Sequence, residues 1–169
     1  MNTDIKHILP QDFSPASRVW IYQSSRPFGD REAEEIDEQL HQFTVQWNSH
    51  GVPVKGWGRL LFNQVIILMA DESESEVSGC STDSSVRIIK SMEQQYNVNL
   101  FDRLLLGFLV KDKLQLLPLA QVGYALEKGY ISHDTIYLNN TVQTKQELEA
   151  HWLIPLKESW LMNKLGQTA

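Results

Sequence analysis

Cysteine is almost missing from this chain, with Cys80 alone among 169 residues. One thiol cannot close a disulfide within the chain and is too few for a cysteine-built zinc or iron–sulfur site. Disulfide scaffolds and metal clusters are therefore excluded, and a reduced, intracellular setting is expected. Basic residues are in deficit as well. Fifteen Lys and Arg stand against 21 Asp and Glu, giving a formal net charge of −6 and a pI near 5.3. That balance argues against a broad surface for nucleic acid or anionic membrane. No window approaches the ~20 apolar residues of a membrane span. Asp4 and Lys6 stand where a signal peptide would begin its apolar stretch, so the expected location is the cytoplasm.

Several motifs fail at the residues their chemistry needs. Gly51-Val52-Pro53-Val54-Lys55-Gly56 begins like a phosphate-binding loop, but Trp57-Gly58 occupies the places where Lys and Ser/Thr would grip phosphates and Mg²⁺. Gly56-Trp57-Gly58-Arg59-Leu60-Leu61 lacks the third glycine of a dinucleotide fingerprint. The acidic run Asp71 to Glu76 has no glycine or distal glutamate of a calcium loop, and no His pair stands at i, i+4. No cofactor and no metal are expected. There is no internal repeat and no low-complexity linker.

What is present fits one domain, on a prior of roughly 150 residues each, with 42% hydrophobic residues and five Trp to build a core. Residues 1–17 show no period and read as an N-terminal arm. Val19-Trp20-Ile21-Tyr22 is a β-favouring run closed by Ser24-Ser25-Arg26-Pro27. From Asp30 to Asn48, Ala33, Ile36, Leu40, Phe43 and Trp47 recur at spacings of 3 and 4, one stripe of an amphipathic helix. Acidic residues fill its first turns, where the helix dipole favours them. Gly51 to Gly58 reads as a turn-rich link. Arg59–Phe62 and Val65–Met69 read as a hairpin whose second strand, lacking polar alternation, is expected to be covered on both faces. Ser84 to Asn97 predicts a second helix, and Leu104–Val110 with Leu114–Leu117 a second hairpin.

The order is β-α-β-β-α-β-β. It predicts an α+β fold: a mixed or antiparallel sheet of four to five strands, helices on one face, in a ferredoxin-like split β-α-β arrangement. Residues 18–117 form the expected core domain. Residues 118–169 form a helical C-terminal lobe packed on it, with a helix at Leu119–Lys128 stopped by Gly129, a short strand at Thr135–Leu138, and a helix from Thr144 to Leu165 broken at Pro155.

The segment Gly79-Cys80-Ser81-Thr82-Asp83-Ser84-Ser85 reads as a helix-leading loop of small and hydroxyl-bearing residues. Free N–H groups and the helix dipole there favour a phosphate, sulfate or carboxylate, and the same field lowers the pKa of a neighbouring thiol. Two functional readings follow, an anion cradle or a reactive Cys80. The bland alternative is a capped helix with Cys80 as a packing residue. A thiolate needs a base. The candidates are His133, in a loop, then His50, and His41 beside the apolar stripe. Asp102 and Arg103, at a strand entrance, are placed to pair with groups on the Cys80 loop. Trp57 between two glycines is a candidate partner anchor or a residue folded onto the core.

Together, Val19 to Phe28, Ser78 to Val86, Leu100-Phe101-Asp102-Arg103 and the tail from Asn139 through Pro155 to Trp160 resemble an uncharacterised bacterial family. Its members are single-domain proteins of about this length, often labelled ABC-transporter ATPase. The likeness covers roughly residues 18–162 and implies no established activity or catalytic residue. The chain has neither a Walker A loop nor a Leu-Ser-Gly-Gly-Gln signature, so the label does not describe its chemistry. In the tail, Leu119, Leu126, Gly129-Tyr130-Ile131, Asp134-Thr135-Ile136-Tyr137, Trp152 and Pro155 are similar in order to GYF-type adaptor modules, which bind peptides.

The expected function is that of a small cytoplasmic binding or interaction module. It presents Gly79, Cys80, Ser81, Thr82, Asp83, Ser84, Ser85 and Arg103 to a small anionic ligand, or Trp57 to a protein partner, and binds neither nucleic acid nor membrane. The alternative is an enzyme with Cys80 as thiolate and His133 or His50 as base. The oligomeric state is left open.

Overall fold

The structure, a computed structural model, describes the backbone of residues 4–73 and 79–166 and the side chains of residues 4–73 and 82–165. It is an α+β fold with antiparallel sheets and a C-terminal helix. β1 (Arg18–Gln23) leads into α1 (Asp30–Gln46), whose first turn is closed by the Glu32 carboxylate accepting the Gly29 N–H at 3.0 Å. Ile36 and Leu40 are fully buried on its inner stripe, each contributing about 1.5–3 kcal/mol relative to exposure. A two-residue ladder, β2 (Asn48–Ser49) with β3 (Val52–Pro53), turns the chain into β4 (Lys55–Leu61) and β5 (Val65–Asp71).

β5 lies between β1 and β4 and is antiparallel to both. β1 and β4 therefore run parallel with β5 inserted between them, the split β-α-β arrangement. Every residue of β5 is buried. Ile66 and Leu68 face α1 and α2 (Gly79–Tyr96), while Val65, Ile67 and Met69 face the opposite cluster.

The strands do not join one sheet. β6 (Leu105–Val110) and β7 (Lys113–Pro118) continue through β8 (Ile136–Leu138) to β9 (Leu153–Pro155) in a second, four-stranded sheet ordered β7-β6-β8-β9. Between β7 and β8 lies α3 (Val122–Glu127); between β8 and β9 lies α4 (Lys145–His151); α5 (Leu161–Gly166) closes the described chain. One face of this sheet meets the first sheet through Leu109, Ile136, Leu138 and Leu153. The other packs on α3 and α5 through Leu106, Phe108, Tyr137 and Ile154. The layers are thus helix, sheet, sheet, helix. Each hairpin is closed by two left-handed residues, Phe62-Asn63 and Lys111-Asp112, the turn that matches strand twist.

Four expectations need correction. The arm is part of the fold: Ile5, Leu9 and Phe13 are buried in the cluster between the sheets with Val65, Ile67 and Met69 of β5, because packing there removes three large apolar side chains from water. The boundary at 117/118 cuts through one sheet, since β6 pairs with both β7 and β8. The short strand expected at Thr135–Leu138 is present as β8, but the helix expected from Thr144 to Leu165 is divided by the edge strand β9, Leu153–Pro155; Pro155 lacks a donor, which an edge tolerates. The Gly51–Gly58 link is mostly strand. A Cβ on Gly56 would stand 2.6 Å from Trp47 Cε3, and one on Gly58 2.8 Å from Leu68 Cδ2. These glycines exist to let α1 lie close on β4, not to make a turn.

Candidate functional site

The second helix begins earlier than its apolar period predicts. Gly79 to Ser85 are its opening turns, not a loop ahead of it. Hydroxyl residues are tolerated there because they bond within the helix: the Ser85 hydroxyl donates to the Thr82 carbonyl at 2.6 Å. The side chains of Gly79, Cys80 and Ser81 lie outside the described residues. Asp83 is exposed, Thr82 and Ser84 are half-buried, and Ser85 is fully buried.

Ser85 and Arg103 do come together, on either side of Tyr22. Burial raises the Tyr22 phenol above its ordinary value, and its hydrogen bond with Ser85 and the Arg103 charge pull it partway back. Asp102 turns its carboxylate to the Leu104 N–H at 2.9 Å. Among the described residues Arg103 has no carboxylate within ion-pair distance. Its Nη1 donates to the Ile21 carbonyl at 3.1 Å, which anchors the guanidinium at the outer edge of β1.

That edge borders a cleft of about 510 Å³ between the two sheets. Its floor is a chain of amides. Gln23 Nε2 donates to the Leu105 carbonyl at 2.9 Å, Asn140 Nδ2 donates to Gln23 Oε1 at 3.4 Å, and the Trp152 indole N–H donates to Asn140 Oδ1 at 2.9 Å. A Cβ on Gly107 would come within 2.5 Å of Gln23 Oε1, so the glycine makes room for this amide. Trp20 and Trp160 also line the cleft. Behind Trp160, the buried Tyr137 phenol is pushed up to about 12 by burial, with the Trp160 side chain bonded to it. Of this cleft, only Arg103 stood among the residues singled out as ligand-binding. Gln23 carried a signal in retrospect, a polar amide ending an apolar strand run.

The remaining candidates lie elsewhere. His133 is exposed in the turn before β8, beside the Asp134–Lys157 pair, where Nζ to Oδ1 is 2.6 Å. His50 is exposed, follows β2 directly and sits at φ 52. α1 and α2 run side by side in opposite directions, as Arg26, just ahead of α1, and Glu35, in its first half, both bond Tyr96, the last residue of α2. β2, past the end of α1, touches α2, so His50 lies toward the start of α2. His41 is exposed on α1 and borders a shallow hollow at β4. Trp57 is not a loop aromatic. It is half-buried in β4 and packs on the cluster between the sheets, because its flanking glycines face α1 and turn it to the opposite side.

No helix among the described residues is long and apolar enough to cross a membrane. Comparison with protein-family models, with curated proteins and with solved structures gives no match.

Proposed function

We propose that this chain is a small cytoplasmic binding module whose cleft along the β1 edge holds a ligand bearing an anionic group. The observation that carries the reading is Arg103, a guanidinium fixed by one main-chain bond and unpaired by carboxylates among the described residues, at the wall of a cleft floored with amides. A guanidinium offers a planar fork of donors suited to carboxylate or phosphate. Tyr22, which Arg103 also faces, ties this edge to α2 through its hydrogen bond with Ser85. Chemical unfolding in acetate, benzoate, phosphate and sulfate tests this. A ligand at a hundred times its Kd adds about 2.7 kcal/mol, and Arg103→Gln is expected to abolish that gain. Equal responses of the two proteins, or no response to any anion, refute it.

A second reading, a thiolate at Cys80 with His50 as its base, is favoured by one contact, that of β2 with α2. Alkylation of the native thiol would then show a midpoint well below ~8.5. An inert thiol, or one with an ordinary midpoint, removes it.

A further inference from the structure

The cleft offers main-chain hydrogen bonds as well as a charge. On the outer edge of β1, the Ser17 carbonyl accepts from the Lys145 N–H and the Val19 N–H donates to the Gln143 carbonyl, both at 2.9 Å. Main-chain groups alternate along a strand, so Ser17, Val19 and Ile21 point outward and Arg18, Trp20 and Tyr22 point to β5. The covering segment then leaves the edge. Instead of returning to the Val19 carbonyl, the Gln143 N–H donates to Glu147 Oε2 at 2.8 Å, and the Val142 N–H turns to Asn139. The Val19 carbonyl and the Ile21 N–H are left facing the cleft with no partner among the described residues, although Val19 and Ile21 are only 5% and 3% exposed. Buried main-chain polar groups are normally paired.

Resting on the reading of the cleft as an anion site, we infer that its ligand is the C-terminal end of an extended peptide, added to the edge of β1. Direction and length follow from the hydrogen-bond pattern. An antiparallel residue would exchange bonds with both main-chain groups of Ile21, but Arg103 already holds the Ile21 carbonyl. A parallel residue opposite Trp20 instead donates its N–H to the Val19 carbonyl and accepts from the Ile21 N–H. Those are the two groups left open. The added strand then runs toward Arg103, and the next main-chain acceptor along β1 is occupied. The penultimate residue therefore pairs with β1, and the terminal carboxylate meets the guanidinium. Strand addition to an exposed edge, with carboxylate capture at its end, is an established mode of peptide recognition.

The test uses four probes with the full chain: a mixed pool of N-acetylated tripeptides with free carboxylates, the same pool as C-terminal amides, the same pool N-methylated at the penultimate residue, and acetate. Binding is read from the Ile21 amide resonance and its hydrogen exchange. The free-acid pool is expected to shift and protect the Ile21 amide, with amidation or N-methylation each weakening it about tenfold. Arg103→Gln, whose dispersed spectrum reports that it is folded, is expected to erase the difference between acid and amide. The inference is overturned if the N-methylated or amidated pools titrate like the acid, or if no pool reaches Ile21. Acetate binding in that case leaves the anion reading standing and removes only the peptide. If acetate fails too, both fall.

Discussion

At the scale of single residues, close approach and charge pairing set the sharpest constraints. Gly56 is expected to tolerate no side chain, because a methyl there meets the buried Trp47 ring at 2.6 Å. Gly56→Ala is expected to cost about 1–3 kcal/mol by overpacking, measured as a shift of the denaturant midpoint. Glu32 accepts both Arg26 Nη1 and Nη2 at 2.9 Å and also the Gly29 N–H. The Arg26 hydrogen bonds, then the Gly29 amide, lower its pKa from 4.5 to about 2. A depressed carboxylate stabilises the fold above its unfolded value, and that contribution is lost as pH falls from 4.5 towards 2. Glu32→Gln should flatten the acid limb of the stability profile in that window, and an unchanged limb would show that the pair is idle. Neither constraint was legible from local pattern. Glycine beside tryptophan reads as a turn until the helix that presses on it is known, and the partner of Glu32 lies outside its helix.

Elements with a strong period were the most legible. The stripe on α1 and the unbroken apolar run of β5 declare their burial in sequence, as both follow from local geometry. The N-terminal arm does not, since Ile5, Leu9 and Phe13 have no common period and are ordered by what they meet. Phe13 packs between the sheets with Lys55 Nζ 4.8 Å from its ring centroid. Asp71 fastens the same segment. Burial alone would raise its carboxyl, but the Ser14 and Ser73 amides and Lys55 outweigh that and hold it below the ordinary range. Phe13→Ala is therefore expected to cost about 3 kcal/mol in a denaturation experiment, whereas an arm outside the fold would give no change. The cleft was the least legible element of all. Its walls come from β1, the residues before β6, the segment after β8 and the residue before α5, and nothing in sequence announces that four such pieces converge.

Across the whole molecule, two sheets share one interior, and their cohesion has a measurable signature. Burial, and then Glu35, pushes the Tyr96 phenol up to about 12 in the layer of α1 and α2, and burial does the same to Tyr137 beneath the second sheet. A phenol whose folded pKa is raised contributes stability below its unfolded value of 10, lost as pH climbs from 10 towards 12. Alkaline titration should show both phenols ionising in one transition coincident with loss of structure. Two separate transitions would mean that the halves unfold independently. The class, α+β with antiparallel sheets, was legible because strand and helix periods are local. The division into two sheets was not, because it is decided by which strand β6 pairs with. The same long-range closure has a consequence for how the chain is made. Phe13 gives its carbonyl to Lys145, 132 positions later. At a synthesis rate of roughly 5–20 residues per second, Phe13 waits on the order of ten seconds for that partner. Through that interval Ile5, Leu9 and Phe13 have the first sheet to pack on but lack the cover that the second sheet supplies, and the nascent chain carries a half-covered apolar segment of the sort that ribosome-associated chaperones hold.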